Sequence, residues 1–457
     1  MTIPLDNLYD YIFSLTGHTN KNLIIYRFDP HGSKGIENLV VHNIVGKIFV
    51  NLSNNVKKDS LHYKLVFCYD QEPLNFNLYS STYFDDERTK QFQKWEGPIN
   101  RFITPVGKAF IRRQNIAGHP CVTPSIYNKS ILIHSEKNSE DLKKYEKNGF
   151  IGCYYWSHAF IALDWYRFAK HDKSLDLIPK IQFDRDFNIY ARSWTGTREY
   201  RLKFLELLEK NSIDEVSTIS FNEYCDGNHY AEYKTKNKKW QFEKGNINCL
   251  NNIKLEDTES SASATYDVGD YKNSAIDIVL ETVFDQNKIQ LTEKILRPIA
   301  CGKPFILISE KGSLEYLKSY GFKTFNDLID ESYDNVECPT KRLEKIIQTM
   351  KTISSLSQTK KNHLFFEMHK IAEFNKKWFF SDEFFNKIND ELKKNLKYGL
   401  DMLDNPEYQT AKSPRLYYRA YRKYKKYLSE DAKMLADIAI DQYPERIELS
   451  KKNIGKY

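Results

Sequence analysis

Short apolar runs that end in polar residues alternate along most of the chain with segments whose apolar positions recur at helical spacing. That alternation is the pattern of parallel sheets built from βαβ units, so the expected fold class is α/β. The first half predicts strands over residues 23–28, 64–69, 130–134 and 151–155. Between the last two, SEKNSEDLKKYEKNG predicts a helix with Ser139 as its cap and Gly149 as its stop. A helix over 157–170 follows, and then the polar stretch HDKSLDLIPKIQFDRDF, residues 171–187, which contains Pro179 and reads as an interdomain crossing. The second half restarts the rhythm with a strand at 188–192, the loop SWTGT, a helix bearing Leu202, Leu205 and Leu208 on one face, and a strand at 215–221. Residues 225–272 show little periodicity and read as a long irregular insertion. Regular structure returns with a strand at 275–281, a helix from Thr292 to about Cys301, a strand at 304–308 and a short helix capped by Ser313 and stopped by Gly321. From Pro339 onward the pattern is helical. The expected units are therefore 1–180, 181–338 and a helical segment 339–457.

Composition narrows the class. A chain of 457 residues corresponds to about three domain-sized units and can bury an ample core. The hydrophobic share of 41% and charged share of 28% are those of a globular protein, while the 14% aromatic share must go largely to core or site. The seven cysteines are scattered and form no Cys-x-x-Cys pair, which fits a reducing cytoplasm. The opening MTIPLDNLYDYIFSLTG lacks a basic region followed by an apolar core, and no apolar run approaches the ~18 residues of a membrane span, so neither secretion nor a membrane is expected. The net charge of +7 is mild for this length, which makes its distribution the informative quantity.

In open α/β sheets ligands bind at the carboxyl ends of strands, where helix N-termini offer free N–H groups to anions. The segment LTEKILRPIACGKPFIL, residues 291–307, occupies such a place. Thr292 is the expected N-cap, and Glu293 gains about 0.3–1 kcal/mol from the helix dipole. Lys294 opposes the dipole unless an anion such as a diphosphate lies between it and the helix end. A solvated first turn accounts for the same residues.

The longer run IVLETVFDQNKIQLTEKILRPIACGKPFIL, residues 278–307, resembles the nucleotide-binding signature of α1,3-fucosyltransferases, an apolar strand ending in an acid followed by a Thr-Glu-Lys helix. With YDQEPL in front and GSLEYLKSYGFKTFNDLIDESYD behind, the chain resembles glycosyltransferase-like proteins of tailed phages and large viruses over most of residues 20–335. The resemblance implies a GT-B fold of two Rossmann-like domains facing across a cleft, a nucleotide-diphosphate sugar as co-substrate, and no required metal. Glu281 then matches the acid at the strand end, and Glu293 and Lys294 match the pair used on ribose and phosphates. Gln290 stands where the fucosyltransferase pattern has an aromatic residue. Arg198, in ARSWTGTREYRLKFLELL, corresponds to a phosphate-binding arginine of that family, with Arg201 in reserve. An arginine fork can engage two phosphate oxygens while neutralising a leaving diphosphate.

The first domain is expected to hold the acceptor and to supply any general base. Asp70 and Glu72 lie two apart at a predicted strand end, where they can share a face and tune one another's pKa. A plain turn with exposed acids is the alternative. His158 opens a helix after a strand, and His31 lies in FDPHGSKG, a candidate acceptor loop. Asp184 and Asp186 have the Asp-x-Asp spacing of metal-dependent transferases, but Pro179 and a polar crossing precede them, so they read as hinge. Between Lys412 and Lys426 stand seven Lys or Arg residues and no acid. At helical spacing Arg415, Arg419, Arg422 and Lys426 form a basic stripe, suited to a nucleic-acid backbone or simply to solvent. The favoured expectation is a phage or viral glycosyltransferase that modifies a hydroxymethylated pyrimidine in DNA, such as 5-hydroxymethylcytosine, flipped from the duplex. A glycan or protein glycosyltransferase and a non-catalytic nucleotide-sugar or nucleic-acid-binding module are the alternatives.

Overall fold

The computed structural model describes residues 2–16, 23–27, 64–68, 70–74, 130–147, 150–176, 183–237, 239–243, 247–248 and 265–404. The protein is α/β, and it divides into two compact units, one formed by Met1–Asp6 with His158–Asp390 and one by Asn7–Ser157 with Glu391–Tyr457. The change of unit falls at Ser157, where the sequence pattern placed it near 180. The helix Ser157–Trp165 belongs by its first residue to one unit and by the rest to the other. His31, Gly149 and Pro179 lie outside the described residues, as do Arg415, Arg419, Arg422 and Lys426. No helix among the described residues is long and apolar enough to cross a membrane.

The unit containing Asn7–Ser157 is built on four parallel strands in the order β1 (Leu23–Arg27), β2 (Lys64–Cys68), β3 (Ser130–His134) and β4 (Phe150–Tyr154). β3 shows why the apolar run is strand-forming: Ile131, Leu132 and Ile133 are all fully buried, as expected of a parallel sheet covered on both faces. Helix α1 spans Leu8–Leu15, and α2 spans Glu140–Lys147 with the Ser139 hydroxyl accepting from the Leu142 N–H at 3.2 Å. Helix α3 spans Ser157–Trp165 and stops five residues short of the predicted end, where a 3-10 turn, Arg167–Lys170, takes over. The carboxyl half of the last described helix packs on this sheet: Asn395 donates to the Tyr154 carbonyl at 2.8 Å, and a Cβ on Gly399 would lie 3.2 Å from Ile131.

The other unit has a second parallel sheet, β5 (Arg185–Ala191), β6 (Ser217–Phe221), β9 (Ser274–Leu280) and β10 (Phe305–Ile308), in the order β10-β9-β5-β6. The chain passes from β5 outward to β6, then returns to β9 on the opposite side. The order therefore reverses between β5 and β9, which is the topological switch point where such sheets bind ligands. Helix α4 (Tyr200–Lys210) buries Leu202, Leu205 and Leu208 as its spacing predicts. The stretch expected to be an irregular insertion carries a two-stranded hairpin, β7 (Tyr224–Cys225) with β8 (Asn228–His229), and helices α5 (Tyr230–Lys236) and α6 (Val268–Asn273). Its polar sequence hid them because the anchors lie outside the segment; in α5, for example, Tyr233 donates to Glu199 at 2.5 Å and Lys234 pairs with Glu206 at 2.9 Å.

Helix α7 (Glu293–Cys301) ends at Gly302, which adopts φ +71° as a left-handed cap. Helix α8 (Ser313–Ser319) is not capped by Ser313. Its Leu314 N–H is taken by the Asp334 carboxylate at 3.1 Å, and the Ser313 hydroxyl donates instead to the Glu310 carbonyl. Helices α9 (Pro339–Ser354), α10 (Gln358–Phe379) and α11 (Asp382–Asp404) follow. Asp186 is not in a hinge but in β5, buried and paired with Lys361 of α10 at 2.6 Å, while Asp184 is exposed.

Candidate functional site

Strand β9 is buried along its whole length and delivers Glu281, itself fully buried, to the carboxyl edge of the second sheet. A buried carboxylate needs donors, and Thr292 supplies two: its N–H reaches Oε1 at 3.0 Å and its hydroxyl reaches Oε2 at 2.7 Å. The same hydroxyl accepts the Lys294 N–H at 3.4 Å, so one side chain both caps α7 and ties it to the end of β9. Lys294 turns back over the cap, its ammonium donating to Thr292 Oγ1 at 3.1 Å and to Glu293 Oε1 at 2.9 Å. The other Glu293 oxygen lies 3.6 Å from His158 Nε2, and the Tyr166 hydroxyl donates to the Glu293 carbonyl at 3.4 Å. The structure thus gathers Glu281, Thr292, Glu293, Lys294 and His158.

The two acids are pushed in opposite directions. Burial raises the Glu281 carboxyl above its ordinary range, with Lys294 and the Thr292 hydrogen bond opposing. Burial also pushes Glu293 upward, but Lys294 and His158 outweigh it and hold the carboxyl well below the ordinary range. Glu293 is therefore a fixed anion. Lys294, with 30% of its side chain exposed against 11% for Glu293, is the more accessible charge at the helix N-terminus. Such an arrangement can receive an anion on Lys294 while Glu293 accepts from a hydroxyl.

The connection from Glu281 to Thr292 is firmly anchored. Glu310, just past β10, accepts the Asn287 N–H at 2.9 Å and pairs with the buried Arg342 at 3.0 Å. Arg342 also donates to the Phe284 carbonyl, and Lys239 pairs with Asp285 at 2.6 Å. The Phe284 ring stacks on Tyr200 at 4.4 Å. None of Glu310, Arg342 or Tyr166 stood out in the sequence, since each acts through partners remote along the chain. Gln290 is 1% exposed, and among the described residues neither atom of its amide has a hydrogen-bond partner.

Arg201, the reserve candidate for phosphate, is held by backbone. It is 2% exposed and donates to the backbone carbonyls of Ser193 at 2.5 Å, Leu280 at 2.6 Å and Glu281 at 3.0 Å. The Tyr200 hydroxyl adds a bond to the Glu281 carbonyl at 2.6 Å. The start of α4 therefore ties the ends of β5 and β9 together, and Arg201 is occupied by backbone rather than presented to an anion. Arg198 is half-buried on the 3-10 turn Gly196–Arg198, directly after the SWTGT loop, with Gly196 at φ +63°.

Asp70 and Glu72 belong to the other unit. Asp70 is 1% exposed, and its carboxylate accepts from the hydroxyls of Tyr9, at 3.0 Å, and Tyr155. Its carbonyl accepts from the Ser157 hydroxyl at 2.5 Å. Burial pushes the Tyr155 phenol well up, and the adjacent Asp70 adds to that. Asp70 is thus a buried, phenol-bound carboxylate, whereas Glu72 is half-buried. No group of His, Cys, Asp or Glu among the described residues is arranged to hold a metal ion. Comparison with protein-family models, with curated proteins and with solved structures returns no match.

Proposed function

We propose that this protein is a glycosyltransferase that takes a sugar from a nucleotide-diphosphate donor, with the donor held by the unit that carries α7. The observation that carries the reading is the cluster of Glu281, Thr292, Glu293, Lys294 and His158 at the carboxyl end of a parallel strand, beside a topological switch point. Lys294 and Arg198 take the diphosphate, and Glu293 accepts from ribose hydroxyls. The acceptor oxygen attacks the anomeric carbon, the bond from that carbon to the phosphate oxygen breaks, and the nucleoside diphosphate departs. The hydroxyl proton goes to a base, for which His158 is the candidate within this unit. The two parallel-sheet units are then the domains of a GT-B enzyme, and no metal is needed if Lys294, Arg198 and the helix N-terminus balance the leaving charge.

The favoured acceptor is a hydroxymethylated pyrimidine in DNA, because seven of the chain's cationic residues and no acid fall between Lys412 and Lys426. The test is to incubate the protein with a panel of nucleotide sugars and follow nucleoside diphosphate release with hydroxymethylated DNA, unmodified DNA or oligosaccharides. Release that needs hydroxymethylated DNA is expected. Release raised by oligosaccharides instead assigns a glycan acceptor, and donor binding without turnover under every condition assigns a binding module. Donor binding that survives Glu293→Ala with Lys294→Ala removes the proposed site.

A further inference from the structure

A buried amide ordinarily satisfies its carbonyl and its NH2, because leaving either bare sacrifices the hydrogen bonds that water gave it. Among the described residues Gln290 is the buried side chain that leaves two polar atoms, an acceptor and a donor, without partners, where Tyr333 and Ser354 leave a single hydroxyl. Asn188 lacks a partner only on its oxygen, since its NH2 donates to Asp277 at 2.9 Å, and Arg201 and Arg342 lack one only at Nε. Gln290 lacks partners on both atoms while 1% exposed. Nor is it free to turn to solvent. Lys288 and Ile289 before it, and Leu291 and Thr292 after it, are buried, and Asn287 is fixed by Glu310. Two residues further on lies the Thr292 cap, with Lys294 over it.

We propose that the Gln290 carboxamide determines nucleobase specificity, pairing with a planar edge of the base that presents a donor and an acceptor side by side. The inference rests on the nucleotide-binding reading of this site and adds to it. A carboxamide offers one acceptor and two donors in one plane, which matches the hydrogen-bonding edge of a nucleobase and cannot be reproduced by a pyrophosphate, which only accepts. Because the surrounding segment is fixed, the carboxamide is held in one orientation, and a held orientation distinguishes a lactam edge from an amidine edge.

The test is calorimetric titration of the full chain with UDP, GDP, CDP, ADP and inorganic pyrophosphate, for the wild type, Gln290→Glu and Gln290→Leu. The wild type is expected to prefer one base by about 10-fold or more, the scale of one good bidentate pair. Gln290→Leu should bring the four nucleotides within about 3-fold of one another and leave pyrophosphate affinity unchanged, since an apolar side chain reads no edge. Gln290→Glu, which only accepts, should move the preference toward GDP, whose guanine carries neighbouring donors. An unaltered order of preference in both variants overturns the assignment, and the donor site then stands without it. Failure of the wild type to bind any nucleotide overturns the donor site and this assignment together. If a variant does not fold, the Gln290 side-chain NH2 resonance in glutamine-labelled wild type decides: it should shift with the preferred nucleoside diphosphate and not with pyrophosphate, and no shift with either overturns the assignment.

Discussion

Replacing Arg201 with methionine separates a ligand-binding arginine from one that holds the sheet together. Methionine keeps the apolar stem and most of the volume, so the change isolates the guanidinium. Three donated bonds disappear, to Ser193, Leu280 and Glu281 at 2.5, 2.6 and 3.0 Å, and the carbonyls are left in a site where the arginine was 2% exposed. Each hydrogen bond to a charged group contributes about 1.5–3 kcal/mol, but the buried guanidinium carries a desolvation cost that its removal recovers. The Glu281 carbonyl keeps the Tyr200 hydroxyl, and the carbonyls of Ser193 and Leu280 lose a donor at about 1–3 kcal/mol each, so the expected net loss is about 3 kcal/mol. At about 1.4 kcal/mol per tenfold, that loss raises the unfolded fraction by at least 100-fold. Urea denaturation gives the global change, and amide hydrogen exchange shows where the unit opens, with faster exchange expected first around residues 191–195 and 280–283. A loss below about 1 kcal/mol, accompanied by abolished pyrophosphate binding, would refute the structural role and return Arg201 to the donor site.

Thr292→Ala removes both the α7 cap and the hydroxyl bonded to Glu281, so urea denaturation should show a loss of about 2 kcal/mol, largely restored in Thr292→Ser. Glu293 titrates below its ordinary value of 4.5, so its contribution is present above that pH and fades as pH falls toward the folded-state value. The stability difference between wild type and Glu293→Gln should therefore shrink on acidification below about pH 4.5; a gap that widens there contradicts the Lys294 and His158 pairing. Glu281 has the opposite sign: its raised pKa stabilises the fold at acid pH and that contribution is lost as pH rises through the folded-state value, so in Glu281→Gln the loss of stability between pH 4 and pH 7, on the order of the usual carboxyl range, should be flatter than in wild type. Gly321 has φ +98° and a Cβ there would meet the Trp378 ring at 2.7 Å, so Gly321→Ala should cost more than about 2 kcal/mol in thermal or urea unfolding.

What the sequence made legible was local. The Thr292 cap and the Gly302 stop were readable because their partners lie within four residues, as was Ser139 before α2. Where the deciding partner was distant, the reading missed. Ser313 looked like a cap, yet the Leu314 N–H is taken by Asp334, 20 residues on. Asp186 looked like hinge because Lys361, its partner across 175 residues, leaves no mark beside it. The segment 225–272 looked irregular because its helices, of seven and six residues, bury only Tyr230 and Lys234 in one and Tyr271 in the other, too few positions to set a helical period.

The amino-acid sequence by itself determined the α/β class and the run of elements, since apolar strands and helical periodicity are properties of neighbouring residues. It also placed Thr292, Glu293 and Lys294 together at the start of a helix that ends at Gly302. Only the tertiary structure decided that His158 faces Glu293, that Arg201 spans carbonyls 8, 79 and 80 residues away, and that Asp70 is held by two tyrosines. The physical reason is common to all three. Charge and hydrogen bonding act over a few ångströms of space, and chain folding, not chain order, sets which groups come within that range.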